Sequence, residues 1–210
     1  EAESYDIVYL NISTAIDCIA AWAAKKKKVP RIFIHSHTSG NDCENPVKRM
    51  IFDSIHKFCR LSLYRAATEY YGCSEKAGLW MFPEKIVKSD RFQMIFNAVD
   101  LKKFTYSSAV RDDVRKELNL ENKFVVGHVG NFVYQKNHYF LIDIFEELKR
   151  KCPEAVLLLL GRGERFETVE KRIKEKGLED SVRLLGFRKD PDRLFQAMDF
   201  FLLPSYFEGL

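Results

Sequence analysis

Hydrophobic positions fall in short runs separated by longer stretches of amphipathic character, and the alternation repeats along the whole chain. Residues 6–10 (DIVYL) form the first apolar run and predict a strand. Ser13 or Thr14 can cap a helix running to about Ala24, with four lysines at 25–28 at its C-terminal end. Residues 31–34 (RIFI) predict a second strand ending in His35-Ser36-His37, and Pro46 opens a long helix to about Ala66. A third strand follows at 68–72, a helix capped by Ser74, and a fourth strand at 92–96 (FQMIF). Residues 97–122 are polar and charged, with one helix predicted over 110–118, which places a domain junction near 97–104 and divides the chain into 1–100 and 101–210.

Beyond the junction the rhythm is clearer. Strands are predicted at 124–129 (FVVGHV), 155–160 (AVLLLL) and 182–185, with a last one at 199–204 (DFFLLP) read as buried. Helices are predicted at 137–151, at 165–176 with Gly177 as its C-terminal glycine, and at 191–197. Near-continuous apolar strands between amphipathic helices predict an α/β fold with parallel sheets covered on both faces. Such sheets bind ligands at the carboxyl ends of their strands, so the turns after each strand are where chemistry belongs.

Composition narrows the partners. The 210 residues allow one large domain or two small ones, and 46% apolar with 30% charged residues describes an ordinary globular protein. The net charge is +4; residues 1–100 carry 14 basic and 12 acidic side chains, so each half is +2. No segment concentrates charge as a nucleic-acid face would, and nucleic acid is not expected as a partner. No apolar run reaches the eighteen or so residues that a membrane span needs. Five cysteines without close pairs fit a reducing cytoplasm better than a disulfide framework or a zinc cage. The chain begins at Glu1 and stops at Leu210, just after a strand with no helix to cover it, which predicts a piece of a longer protein, inactive in isolation.

Four turns carry candidate chemistry. The strongest is HVGNFVYQKNH, where Gly130 ends a strand, Lys136 lies in the loop and Asn137 can cap the next helix. Close backbone approach, helix-end N–H groups and one ammonium together suit a phosphate; an ordinary turn with a solvated lysine is the plain alternative. Gly161-Arg162-Gly163 follows the second strand, and its glycines need do no more than turn the chain. Gly186-Phe187-Arg188 follows the third, where Arg188 reaches a ligand or solvent, and Glu208 in SYFEGL can accept hydrogen bonds from hydroxyls. In the first half His35 and His37, two apart, point to one side if the strand continues; a third metal ligand at useful spacing is lacking. The four lysines complement a helix dipole or form a patch for a membrane surface.

Taken in order, HSHTS, NAVD, HVGNF with KNH, LLLLGRGE, VRLLGF, AMDFFLLPS and FEGL resemble the retaining nucleotide-sugar glycosyltransferases of the large bacterial exopolysaccharide and capsule family, glycosyl transferases group 1. The likeness covers nearly the whole chain. It implies two Rossmann-like domains facing across a cleft (GT-B), both incomplete here: the later part of an acceptor-side domain and the first half of a nucleotide-sugar-binding domain. It implies a metal-independent hexosyl transfer in cell-envelope or exopolysaccharide synthesis, in the cytoplasm at the inner face of the membrane. The donor is a nucleotide-diphosphate sugar, the acceptor a glycan or lipid-linked glycan, and no further cofactor is needed. By the same likeness Gly130 and Asn131 lie beside the diphosphate, Lys136 neutralises it, and Gly161 and Gly163 border the donor. Phe187 and Arg188 meet the base, Glu208 contacts donor-sugar hydroxyls between Phe207 and Gly209, and His37, with His35 second, lies near that sugar.

The chain departs from the family pattern at Asn131, where Arg is frequent, and at Ala98, where Gly is usual. Arg162 or Arg188 would have to supply the missing cation. Two other readings stand beside transfer: a nucleotide-sugar 2-epimerase of the same architecture, and a non-catalytic nucleotide-sugar-binding module.

Overall fold

In the computed structural model, which describes residues 5–209, the chain forms two compact units. One comprises residues 5–98 together with 207–209, the other Val99–Tyr206. The first unit is built on strands β1 (Ile7–Ile12), β2 (Arg31–Ser36), β3 (Glu69–Gly72) and β4 (Phe92–Met94), all parallel and ordered as in sequence. Its helices are α1 (Ile19–Lys26), α2 (Pro46–Ala66), α3 (Glu75–Met81) and α4 (Glu84–Val87). One face of the sheet is covered: Ile32, Ile34 and Tyr70 pack with Ala21, Ala24, Leu63, Ala66, Met81 and Ile86 from the helices. The other face alternates out and carries Tyr9, Phe33, His35 and Tyr71 in edge and stacked ring contacts. Covering on both faces is therefore not seen for this sheet among the described residues.

The helix expected from Ser13 or Thr14 divides in two. Thr14 accepts from the Ile16 N–H and caps a single 3-10 turn, Ala15–Asp17, before α1 begins at Ile19. His56 of α2 lies against this turn, its Nδ1 accepting the Ala15 N–H at 3.1 Å. At α2 the Asn45 side chain accepts from both Val47 and Lys48 N–H groups, with Pro46 in the first turn where its missing N–H costs nothing.

The second unit holds the short helix α5 (Leu101–Phe104), α6 (Ser108–Glu117), β5 (Phe124–Val129), α7 (His138–Lys151), β6 (Ala155–Leu160), α8 (Phe166–Glu175), β7 (Val182–Gly186), α9 (Pro191–Ala197) and β8 (Phe200–Phe201). Its parallel sheet is ordered β7-β6-β5-β8. Alternate residues of β6 serve opposite faces: Ala155, Leu157 and Leu159 pack with α7 and α8, whereas Val156, Leu158 and Leu160 pack with α6 and α9. That is why AVLLLL shows no alternation. Helix α8 ends in a Schellman turn, with Gly177 at φ +64° and Leu178 N–H bonded to Ile173 O.

The last strand differs from expectation. Only Phe200 and Phe201 pair with β5, and both are exposed, not buried, because no described element covers that edge. What anchors the strand is Asp199, whose carboxylate accepts the Val125 N–H at 2.7 Å and pairs with Arg111 and Arg115 of α6. Burial alone would raise that carboxyl, but these donors outweigh it and hold it below the usual aspartate range.

Candidate functional site

Strand order locates the opening of the second unit's sheet. The chain runs β5, β6, β7 in one direction and then crosses to place β8 on the far side of β5. The connection after β5 runs through α7 on one face and the connection into β8 through α9 on the other, and the opening between the two strands lies at their carboxyl ends. Three backbone hydrogen bonds tie this rim together: Gly130 N–H to Leu160 O at 2.9 Å, Phe132 N–H to Arg162 O at 2.9 Å, and Gly161 N–H to Gly186 O at 2.9 Å.

Such close loops need the glycines. A Cβ on Gly161, where φ is +145°, would lie 1.9 Å from Gly130 O, and one on Gly163 would lie 2.4 Å from Phe132 O. Gly161 and Gly163 are therefore required for backbone packing beneath the first turn, which is more than turning the chain.

Lys136 folds back over that turn. A Cβ on Gly130 would meet Lys136 Cε at 3.3 Å and Cδ at 3.4 Å, so the glycine makes room for the lysine stem. The loop enters α7 through a 3-10 turn, Tyr134–Lys136, and through Asn137 in the left-handed region (φ 53°, ψ 47°), which asparagine tolerates better than most residues. Asn137 does not cap α7 as expected; its side-chain N–H donates to Pro204 O at 3.3 Å. Tyr206 N–H bonds to Gln135 O at 2.9 Å, and the Tyr134 and Tyr206 rings stack at 4.7 Å. Both sides of the switch point are held to each other by these contacts.

Beside the rim is an open cleft of about 280 Å³ lined by Asn131, Val133, Arg162 and Gly163. Arg162 is the cation of this cleft, and its guanidinium lies 5.1 Å from the Phe187 ring centroid, a ring 62% exposed. Arg188 is engaged elsewhere: it forks onto Asp190 with two contacts of 2.8 Å and reaches Glu117 at 3.4 Å, and the Asp190 carboxylate raises its pKa further. Of the two arginines that could replace a cation at Asn131, only Arg162 lines the cleft.

Two histidines carried no role in the sequence reading although both lie inside the strongest motif. His128 of β5 donates from Nδ1 to Leu202 O at 2.8 Å, joining β5 to the turn after β8. His138, first residue of α7, is 1% exposed, stacks on Phe132 at 4.3 Å and finds no hydrogen-bond partner for either ring nitrogen. Burial, then the neighbouring His128, Arg165 and Lys136, push its pKa down to about 3. It is a neutral ring beneath the turn that carries Lys136. A histidine two residues past a loop lysine was visible in KNH, but nothing in one sequence distinguishes a buried His from an exposed one.

In the first unit His35 is inside β2, not beyond its end; it is 4% exposed and hydrogen-bonded to the Tyr9 hydroxyl at 2.6 Å. Burial and the adjacent His37 lower its pKa. The two rings lie on one side as the spacing predicts, 3.9 Å apart, and His37 Nε2 contacts Asn11 Oδ1 at 2.8 Å. Among the described residues no three His, Cys, Asp or Glu side chains gather as a metal site. Residues 207–209 pack here also. Ser39 donates to Glu208 O, Ser74 donates to Gly209 O at 2.5 Å, and a Cβ on Gly209 would lie 2.1 Å from His37 O. His37, Phe207, Glu208 and Gly209 are thus grouped in one unit, and Gly130, Asn131, Lys136, Gly161 and Gly163 in the other.

These two parallel α/β units, with a switch point in the second, define the fold class of the GT-B glycosyltransferases. Anabaena HepE, solved in complex with UDP and glucose, superposes with a TM-score of 0.75 over 96% of this chain and 53% of its own, at 20% identity. WaaG, described as a glycosyltransferase involved in lipopolysaccharide biosynthesis, gives 0.64 over 89% of this chain and 56% of its own, at 17% identity. Residues 110–210 match the model of the family glycosyl transferases group 1. Among curated relatives, the putative glycosyltransferase EpsF of Bacillus subtilis is 27% identical over 90% of the chain and 49% of its own length. An Escherichia coli galactosyltransferase, named for transfer from UDP-Gal to GlcNAc-diphosphoundecaprenol, is 26% identical over 99% of the chain and 54% of its own length. The chain spans about half the length of these relatives.

Proposed function

We propose that the protein is a retaining, metal-independent glycosyltransferase of cell-envelope polysaccharide synthesis, taking a sugar from a nucleotide-diphosphate sugar to a glycan or lipid-linked acceptor. The observation that carries this reading is Lys136 lying across Gly130 at the switch point, where α7 begins. The first N–H groups of a helix lack partners within it and favour an anion. The diphosphate would lie over Gly130 and Asn131, with Arg162 supplying the second cation and Phe187 offering its exposed ring to the base. From the motif match, Glu208 orients donor-sugar hydroxyls and His37 lies beside the sugar.

In the reaction the bond from the sugar anomeric carbon to the diphosphate oxygen breaks, and a bond to the acceptor hydroxyl oxygen forms on the same face. The hydroxyl proton passes to the leaving diphosphate, whose growing charge Lys136 stabilises. We place the reaction in the cytoplasm with a peripheral contact at the membrane. No helix among the described residues is long and apolar enough to cross one.

The test measures, in the full-length protein, UDP release from UDP-glucose and UDP-galactose, with and without GlcNAc-diphosphoundecaprenol, for wild type and Lys136→Ala, in EDTA. Acceptor-dependent release that falls at least tenfold in the variant is expected, with the product keeping the donor's anomeric configuration. Equal turnover in the variant removes Lys136 from the mechanism, and epimerised sugar without acceptor would establish the epimerase reading instead.

A further inference from the structure

Two cysteines far apart in the chain meet in the first unit. Cys18 occupies the N-cap of α1, where its side chain makes no capping bond. Cys59 lies on α2, about one helical turn beyond His56. The two thiols are hydrogen-bonded to each other. Both side chains pack against the core that Ala15, Ala21 and Leu63 help to form.

The packing holds this pair in register. His56 Nδ1 accepts the Ala15 N–H at 3.1 Å, and its Nε2–H donates to Trp80 O at 2.8 Å. Ala15 to Cys18 and His56 to Cys59 are equal steps along their segments, so the contact that seats the turn on α2 carries Cys18 onto Cys59. Near the other end of α1 the Lys25 ammonium donates to Arg65 O of α2. The remaining thiols have oxygen partners: Cys43 donates to Asn45 O at 3.8 Å, Cys73 to Gly209 O at 2.9 Å and Cys152 to Glu154 Oε1 at 3.2 Å. Cys18 and Cys59 are both free and half-buried, within reach of a small reagent. Burial, and after it Cys18, raise the Cys59 thiol above its ordinary value, which keeps it protonated at neutral pH until it exchanges.

We propose that Cys18 and Cys59 form a thiol–disulfide modification site, closed by a low-molecular-weight disulfide such as oxidised glutathione and reopened by thiols. One cysteine thiolate attacks the glutathione disulfide, releasing one glutathione and leaving a mixed disulfide on the protein. The second thiolate attacks the protein sulfur of that bond, forming the Cys18–Cys59 bond and releasing the second glutathione. The cysteines lose two electrons, the glutathione disulfide gains them, and the two cysteine protons end on the two glutathione thiols. The product ties the turn after β1 to α2 and closes a loop of about forty residues. It uses no residue of the proposed donor site, so the two readings fail separately.

The experiment incubates the native protein with oxidised glutathione and maps its disulfides by peptide mass spectrometry without reduction. Wild type is expected to give a linked Cys18–Cys59 peptide that dithiothreitol abolishes, with Cys43, Cys73 and Cys152 unlinked. Cys18→Ser and Cys59→Ser should give no linked peptide, and the cysteine left behind should carry one glutathione. Amide exchange over residues 15–24 should slow about fivefold or more on oxidation of wild type and stay unchanged in either variant. Separate glutathiones on Cys18 and Cys59 with no link, a link between either of them and another cysteine, or a Cys18–Cys59 link that speeds the exchange would each overturn the assignment.

Discussion

His138 makes the second unit's stability depend on pH in a way that can be isolated from everything else. Its ring is buried against Phe132 with no partner at either nitrogen, and its pKa is pushed down to about 3. In the unfolded chain it returns to about 6.5. A folded pKa below the unfolded one means the unfolded state takes up the proton first, so stability is complete above the unfolded value and declines as pH falls from about 6.5 toward 3. With those two values the loss relative to pH 7 is about 1.2 kcal/mol at pH 5.5 and about 2.5 kcal/mol at pH 4.5. Carboxylates held low, such as Asp199, also lose stability in acid, so the informative quantity is the difference between wild type and His138→Phe, which keeps the ring stack. Both tryptophans, Trp22 and Trp80, are in the first unit, so the second is best followed by hydrogen exchange of the β6 amides in native conditions. Wild type should lose about 2.5 kcal/mol more than the variant between pH 7 and 4.5. A difference that stays constant with pH would show that His138 is hydrated or charged in the folded state, and the reasoning would fail.

Other consequences follow from the same rim. Gly161→Ala must move the Gly130 carbonyl and hold Ala at φ +145°, so a stability loss of about 3–5 kcal/mol is expected in urea unfolding, and a loss under about 1 kcal/mol would contradict the packing. Asp199→Ala strands the Val125 N–H and two guanidinium groups and should cost about 2–4 kcal/mol in the same assay, an effect that shrinks in acid as the wild-type carboxylate protonates. Arg162→Ala should weaken UDP binding about tenfold by calorimetry, whereas Arg188→Ala, which breaks only the Asp190 and Glu117 pairs, should leave it within about twofold. The reverse order would put the base and phosphates on the β7 side.

How far the sequence reached depended on how local the determinant was. Helix α2 from Pro46 to Ala66, β5, β6 and α9 were legible to the residue, because Pro at a first turn, a capping side chain and six-residue apolar runs are local signals. The break before α1 was not, because residues 15–18 contain no glycine or proline to mark it. The alternation of IVYLNI marks one face of the first sheet as open, whereas the helical rhythm around it suggests covering on both faces. At the site, the glycines and Lys136 could be singled out, but their reason could not. Gly161 is there because another loop's carbonyl occupies its side-chain space, and Asn137 is there for its backbone conformation and its bond to Pro204. Arg162 and Arg188 look equivalent in sequence, and only the positions of Asp190 and Glu117 separate them.

The central claim is that a nucleotide diphosphate docks over Gly130 beside Lys136. Titration of isotope-labelled protein with UDP, followed by amide shifts, tests it most directly. The largest shifts should fall on residues 130–132 and 138–140, and Lys136→Ala should weaken binding about 10–100-fold, as loss of a hydrogen bond to a charged group implies. Shifts confined to other strand ends, or an affinity unaffected by Lys136→Ala, would contradict it.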